Sequence, residues 1–180
     1  MSKAIDDLQH EHEAILSALT ILDRIVARIG DGIDPDQADL MDFIGFLKEF
    51  ADKCHHGKEE GILFPSLTMA GIPEKGGPIG VMLSEHVKGR NLIKEMEASL
   101  TSGPAYEKFG SAAREYSLLL RNHIEKENSV LFPAAERALN SSQLEQIYVS
   151  FEEHEEKVIG QGRHEALHTM LKGLKSKYTP

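Results

Sequence analysis

Residues 55–65 read HHGKEEGILFP, and the pattern His-x-x-x-Glu-x-x-x-Leu-Phe-Pro within them recurs position for position at residues 123–133. A shorter echo, Glu followed by His, occurs at residues 11–12 and again at residues 85–86. Each half of the chain therefore supplies a lone His and then a His with a Glu four positions later. This internal repeat predicts a duplicated helical hairpin.

Apolar residues between the glycine and proline clusters recur every three to four positions, which is the period of an α-helix. The pattern predicts an all-α protein, an antiparallel up-and-down four-helix bundle in residues 1–140 with additional helices packed on it in residues 141–180. The four predicted bundle helices span residues 4–29, 35–65, 78–100 and 105–132.

Capping residues predict where two helices begin. Asp34 is the expected cap of the second helix, with Pro35 in its first turn and Gln37 at the third position. Ser142 and Glu145 form an expected capping box for the next helix after the bundle. The predicted inner faces of the fourth and fifth helices are Ala112, Tyr116, Leu119, His123, Glu127, Val130 and Leu144, Ile147, Phe151, Val158.

Composition excludes several classes of partner. The 180 residues carry a formal charge of −9, and Lys and Arg form no run that would attract nucleic acid or an anionic membrane. Charged residues interrupt the apolar stretch 14–29, so it predicts neither a membrane span nor a signal sequence. A single cysteine, Cys54, forms no internal disulfide and fits a reducing compartment. These features predict a cytoplasmic protein without nucleic-acid or membrane partners.

Six polar side chains occupy positions where the helical pattern calls for core residues. Positions four apart project from one helix face, so each His and the Glu that follows it can reach one metal. Burying such groups without partners would cost about 2–7 kcal/mol each, and a shared metal removes that cost. The predicted metal ligands are His12, His55, Glu59, His86, His123 and Glu127.

His56 and Glu60 have the same spacing as the predicted ligands but lie in line with a polar row of the second helix. In the second copy of the repeat, the positions of His56 and Glu60 are occupied by Ile124 and Asn128. The second copy therefore has no His and Glu pair at these positions. His10 falls on the polar side of the first helix. We therefore predict that His10 and His56 face solvent.

The donor set favours two metal ions. Imidazole and carboxylate without thiolate suit iron, manganese or zinc, and six ligands are too many for one zinc with an open position. If Glu59 and Glu127 both bridge, each ion receives two nitrogens and two oxygens, and a bridging oxo or hydroxo group makes five. One position on each octahedral ion is then open to a small molecule such as dioxygen.

The arrangement closely resembles the hemerythrin-like, or HHE cation-binding, proteins. The resemblance covers about residues 4–140, and its most specific marks are residues 54–60, residues 77–82 and both Leu-Phe-Pro stretches. It implies a four-helix bundle with two non-haem Fe ions, and dioxygen, nitric oxide or peroxide as the small-molecule ligand. It also implies sensing, storage or detoxification of that ligand, with a diiron oxidase or peroxidase-like activity left open.

One departure from the family bears on function. Classical oxygen-carrying hemerythrins have a second His where this chain has Arg90, and their fourth-helix motif ends in Asp where this chain has Glu127. A site richer in carboxylate favours oxidised iron, so redox turnover, sensing or iron handling are expected rather than reversible oxygen carriage. The alternatives are an iron-handling protein or ferritin-like diiron oxidase, and a non-catalytic module that senses metal or oxygen.

Residues 164–168 match the zinc-protease pattern His-Glu-x-x-His. Residues 169–180 contain no His, Asp or Glu to complete such a site, so the match is expected to be fortuitous. A ferritin-like site needs Glu-x-x-His on two helices, and only Glu165 with His168 has that spacing.

Four further residues are left with open or structural roles. Tyr116 is either packing or a hydrogen-bond donor to the centre, and Arg90 either an outer contact of the site or a surface residue. Cys54 is expected to be a small buried apolar residue. His154 is expected to be a satisfied core residue or an outer contact where the last helices meet the bundle.

Overall fold

The structure, a computed structural model, describes residues 1–101, 103–160 and 162–179. Over these residues the chain is all-helical and contains no strand, so the predicted fold class is confirmed. None of the described helices combines the length and apolar character needed to cross a bilayer. The α-helices are α1 Lys3–Gly30, α2 Gln37–Phe46, α3 Phe64–Met69, α4 Pro78–Thr101, α5 Tyr106–Lys126, α6 Phe132–Ala138, α7 Ser141–Val158 and α8 Arg163–Tyr178.

Three wider π-helical stretches lie between these α-helices. The first two, π1 Leu47–His56 and π2 Glu59–Leu63, join α2 to α3. The third, π3 Glu127–Leu131, joins α5 to α6. Together with the α-helices that they join, these stretches make two continuous long helices, residues 37–69 and residues 106–138. The bundle therefore consists of α1, residues 37–69, α4 and residues 106–138. Short π-helical turns are rare and occur mostly at functional sites.

Two apolar clusters fill the bundle, one toward each end. Chain direction alternates from helix to helix, because each helix enters one cluster and leaves through the other. Members of one cluster, the proximal cluster, include Ile5, Leu8, Leu63, Phe64, Ile79, Met82, Leu131 and Phe132. Members of the other, the distal cluster, include Ile15, Leu19, Phe43, Leu47, Ile93, Met96, Phe109 and Tyr116. The six predicted ligand positions are buried and lie between the two clusters along their helices.

The last two helices contact opposite ends of the bundle. In α7, Leu144, Ile147 and Phe151 belong to the proximal cluster. In α8, Leu167 belongs to the distal cluster, together with Leu171, Leu174 and Tyr178. The Tyr178 hydroxyl donates a hydrogen bond to Asp39 at 2.5 Å, which ties the end of α8 to the start of α2.

Both predicted helix starts were wrong by two residues. Asp36 caps the helix that begins at Gln37, and its carboxylate accepts from the Ala38 amide at 2.9 Å. The Gln37 side chain instead donates to the Leu100 carbonyl. The fifth helix is capped by Asn140 with Gln143 in a reciprocal capping box, while Glu145 pairs with Lys3.

Two inner-face predictions and two helix ends were also wrong. Val130 and Val158 are exposed, and in place of Val130 the wide turn of π3 directs Leu131 inward, where it is buried. The helices do not end at Pro65 and Pro133, because each proline lies in the first turn of the α-helix that follows a π-helical stretch. Proline is accepted there since its missing N–H has no partner in a first turn.

Phe151→Ala tests whether α7 contributes to the stability of the bundle. Phe151 is fully buried in the proximal cluster, so the cavity should lower the free energy of unfolding by about 3–5 kcal/mol. Val149→Ala on the exposed side of α7 should change it by less than about 0.5 kcal/mol. Urea denaturation followed by circular dichroism measures both, and equal midpoints would show that α7 is not packed as described.

Candidate metal centre

The six predicted ligands converge on one buried point between the apolar clusters. On one side, the Nε2 atoms of His12 and His55 lie 3.1 Å apart. His12 Nε2 lies 3.1 Å from Glu127 Oε2, and His55 Nε2 lies 3.8 Å from Glu59 Oε1. This half of the centre contains one His from α1 and one from π1.

The other half repeats the arrangement with α4 and α5. The Nε2 atoms of His86 and His123 also lie 3.1 Å apart. His86 Nε2 is 3.4 Å from Glu59 Oε2, and His123 Nε2 is 3.1 Å from Glu127 Oε1. Each glutamate therefore directs one oxygen to each half.

Every imidazole of the centre has an outer acceptor on its Nδ1 atom. An ionised carboxylate or an amide oxygen only accepts, so Nδ1 carries the proton and Nε2 is left as the inward ligand atom. The pairs are His12 with Asn128 (3.0 Å), His55 with Glu11 (2.7 Å), His86 with Glu60 (2.7 Å) and His123 with Glu85 (2.9 Å).

The donor atoms of the centre fit bound metal. Neutral rings in this tautomer would oppose two lone pairs at 3.1 Å, whereas an ion about 2.1 Å from each nitrogen separates them by about 3 Å. No donor among the described residues hydrogen-bonds either oxygen of Glu59 or of Glu127, although all four oxygens are buried. Such oxygens are costly to bury unless a cation binds them.

The carboxylates of the centre raise the pKa of His55, His86 and His123 above its usual range, against the effect of burial. Burial lowers the pKa of His86, but the carboxylates of Glu59 and Glu60 overcome that effect and raise it to about 9. The pKa of Glu127 lies well below its usual range, because the charges of His123 and His12 outweigh its burial. Metal binding would displace protons from the rings.

The sequence comparison agrees with this geometry. The profile of the hemerythrin HHE cation-binding domain matches residues 3–135. The chain belongs to the hemerythrin HHE cation-binding family. No solved structure matches the chain significantly.

Curated relatives of this hemerythrin-like chain include two mycobacterial proteins. The uncharacterized proteins Rv1995 of Mycobacterium tuberculosis and Mb2018 of Mycobacterium bovis are each 25% identical over 164 residues, which cover 88% of this chain and 63% of the relative. The iron-sulfur cluster repair protein YtfE of Salmonella paratyphi B is 36% identical over 88 residues, 45% of this chain and 40% of that protein. The chain thus spans less than two thirds of the length of these relatives.

His56 is not solvent-facing, so that prediction was wrong. It is 3% exposed, and its ring stacks on His86 with centroids 3.8 Å apart. The error arises from the constant 100° step of an α-helix, whereas π1 accommodates an extra residue per turn and turns both His55 and His56 inward. Burial, followed by the charge of His86, places the pKa of His56 well below its usual range. His10 is exposed as predicted.

The outer carboxylates are the site residues that sequence reasoning missed. Glu60 was placed in a solvated row, yet it holds His86 and also accepts from Arg90 at 2.6 Å. Arg90 also donates to Asp52 at 2.7 Å, so it is an outer contact of the centre. The repeated Glu-His pairs were a signal for Glu11 and Glu85, because each holds a His of the opposite helix in its own hairpin.

A buried lysine lies behind His55. The side chain of Lys58 is fully buried, and its ammonium donates to Asp7 (2.9 Å), Glu11 (2.8 Å) and Glu155 (3.0 Å). Burial raises the pKa of Glu11, but the hydrogen bond from His55 and the charges of His55 and Lys58 lower it to about 2. Lys126 occupies the equivalent place in the repeat and pairs with Glu85, but 39% of its side chain is exposed.

Three remaining residues have structural positions near the centre. Tyr116 is fully buried, and no described residue hydrogen-bonds its hydroxyl. Cys54 is buried as predicted, and burial raises the pKa of its thiol to about 12. The His154 ring donates to the Lys53 carbonyl at 3.0 Å and covers Gly57, where a Cβ atom would come within 2.6 Å of the ring.

The His-Glu-x-x-His segment lies apart from the centre. His164 and His168 are on α8, where both rings contact Phe50 at centroid distances of 5.5 and 5.6 Å. Among the described residues, the groups of metal-binding side chains that lie close enough to share an ion include neither of these histidines. The segment packs α8 onto the bundle.

Lys58→Met should destabilise the protein much more than Lys126→Met. The first change leaves Glu11 buried beside Asp7 and Glu155 without their cation, a loss of about 3 kcal/mol or more. The second removes a partly exposed pair worth about 1 kcal/mol or less. Chemical denaturation of both variants and the parent, all stripped of metal with a chelator, measures the difference. Similar midpoints would contradict the burial of the Lys58 cluster.

Proposed function

We propose that this chain is a non-haem diiron protein that binds, or reacts with, a small ligand of the dioxygen, nitric oxide or peroxide type in the cytoplasm. The predicted ligands His12, His55, Glu59, His86, His123 and Glu127 would hold the two ions, and Glu59 and Glu127 each offer one oxygen to either half. Sensing, storage or detoxification of that ligand is the role that best fits the centre.

One observation carries the proposal. Four imidazole Nε2 atoms and four carboxylate oxygens face one another inside the bundle, and no described donor satisfies the oxygens. Six buried groups in this state would cost several kcal/mol in a protein with no ion to bind. Two cations remove that cost, and family membership makes cation binding the expected use of the site.

The ions supply redox chemistry, and the protein controls their surroundings. The outer acceptors fix the four rings so that each Nδ1 keeps its proton and each Nε2 would be free to bind an ion. Phe132 stacks on His12 and Phe64 stacks on His86, at centroid distances of 5.4 and 5.9 Å. These rings shield the proximal side of the centre from water, which limits unwanted side reactions.

A second candidate function is iron handling. The Salmonella proteins matched over 88 residues are named iron-sulfur cluster repair proteins. A repair function would require the chain to release its iron to an acceptor. Buried ligands with fixed rings favour retention, so the small-ligand function is preferred.

Glu127→Ala should abolish binding of the iron pair, because it removes an oxygen from both halves of the centre. Glu125→Ala is the matched control, since Glu125 lies on the same helix but is exposed. Anaerobic loading with ferrous iron, removal of excess metal and iron analysis should give two Fe per chain for the parent and control, and none for Glu127→Ala. A parent chain that retains one zinc and no iron would overturn the proposal.

Mixing the reduced, loaded protein with dioxygen, nitric oxide or peroxide under a spectrophotometer separates the candidate roles. A small-ligand function predicts a rapid absorbance change with at least one of these molecules while iron stays bound. Repeated peroxide consumption would indicate an enzyme. If none of the three changes the spectrum, and iron instead passes to a competing chelator within minutes, iron handling is the better function.

A further inference from the structure

The centre has an approximate two-fold symmetry that follows the sequence repeat. The ligands and their nearest outer contacts in one half have counterparts of the same role in the other half. The counterparts are Glu11 and Glu85, His12 and His86, His55 and His123, Lys58 and Lys126, Glu59 and Glu127, Glu60 and Asn128, and Phe64 and Phe132.

One pair next to the ligands breaks this symmetry. His56 corresponds to Ile124, and both side chains are buried. Ile124 packs in the distal cluster. An aliphatic side chain at this place in the repeat is therefore compatible with the fold, and packing alone does not require an imidazole at position 56.

The surroundings of His56 point to a missing partner. Neither ring nitrogen has a hydrogen-bond partner among the described residues, although the ring is 3% exposed. Leaving such a group buried and unpaired is unfavourable. A ring nitrogen of His56 and the ligand atoms of Glu59, His86 and His123 all lie within 4.8 Å of one another. His56 therefore lies at the half of the centre formed by His86 and His123, not at the half next to Glu11 and Lys58.

His56 also has an outer carboxylate nearby, as three of the other four histidines do. Its Nδ1 atom lies 3.5 Å from Asp52 Oδ1, beyond a good hydrogen bond. Asp52 is itself held by Arg90 at 2.7 Å. The other four histidines each pair an outer acceptor on Nδ1 with an inward Nε2, and His56 has the parts for the same arrangement.

We propose that His56 is a fifth imidazole ligand, which binds the ion held by His86 and His123. The inference rests on the proposed diiron centre and makes its two ions unequal. The ion of His86 and His123 has three nitrogens, two carboxylate oxygens and the bridging group, which fills six positions. The ion of His12 and His55 has five ligands. A small molecule therefore binds only this second ion.

Replacing His56 by Ile, the residue at the equivalent place in the repeat, tests the proposal. Anaerobic titration with ferrous iron against a competing chelator should show one of the two ions weakened by roughly 100-fold or more, and the other unchanged. Nitric oxide uptake by the reduced protein should rise from one to two molecules per iron pair. Mössbauer spectra of ⁵⁷Fe-loaded protein should change from two unequal signals to one.

His56→Phe keeps a ring on His86 but supplies no nitrogen, so it gives the same readouts if the Ile variant does not fold. Circular dichroism of each metal-free variant checks the helical content. Affinities, uptake and spectra equal to those of the parent would overturn the proposal, as would equal weakening of both ions in a folded variant. A parent chain that binds no iron pair would instead refute the proposed diiron function.

Discussion

The structure depends on how two buried glutamates are satisfied. Glu59 and Glu127 lie at the centre of the bundle with no described donor on their oxygens, and four imidazole nitrogens face them. Apolar packing on both sides keeps these two carboxylates away from bulk water. Cations are the partners that these groups lack, so metal binding and completion of the core are one event.

Duplication explains most of the architecture around that centre. Each hairpin holds its own histidines, since Glu11 on α1 orients His55 and Glu85 on α4 orients His123. The glutamates then connect the hairpins, because each directs one oxygen to either half. The two halves are therefore held together by the layer of histidines and glutamates as well as by the two apolar clusters. Such a layer specifies which helix faces which, since a shifted register would bury carboxylates against apolar side chains.

Much of this could be predicted from the sequence, and the failures share a cause. The repeat and the helical period indicate the all-α bundle, and the structure brings the six predicted ligand positions together. Prediction failed at His56 and Val130 because it assumed a constant turn, whereas π1 and π3 are wider and shift the residues that face inward. Pro65 and Pro133 were taken as helix ends but mark the return from a π-helical to an α-helical turn. The composition of π1 and of π3 does not distinguish either stretch from an ordinary α-helix.

The ammonium of Lys58 ties the far end of α7 to the centre. It has no exposed surface, and Glu155 is one of only three carboxylates that it contacts among the described residues. Were α7 to move away, the same cation would be shared between Asp7 and Glu11 alone, and Glu11 would accept less strongly from His55. The electron-donating strength of that imidazole toward its ion would change with it. The placement of a peripheral helix thereby affects how firmly Glu11 holds an imidazole of the centre.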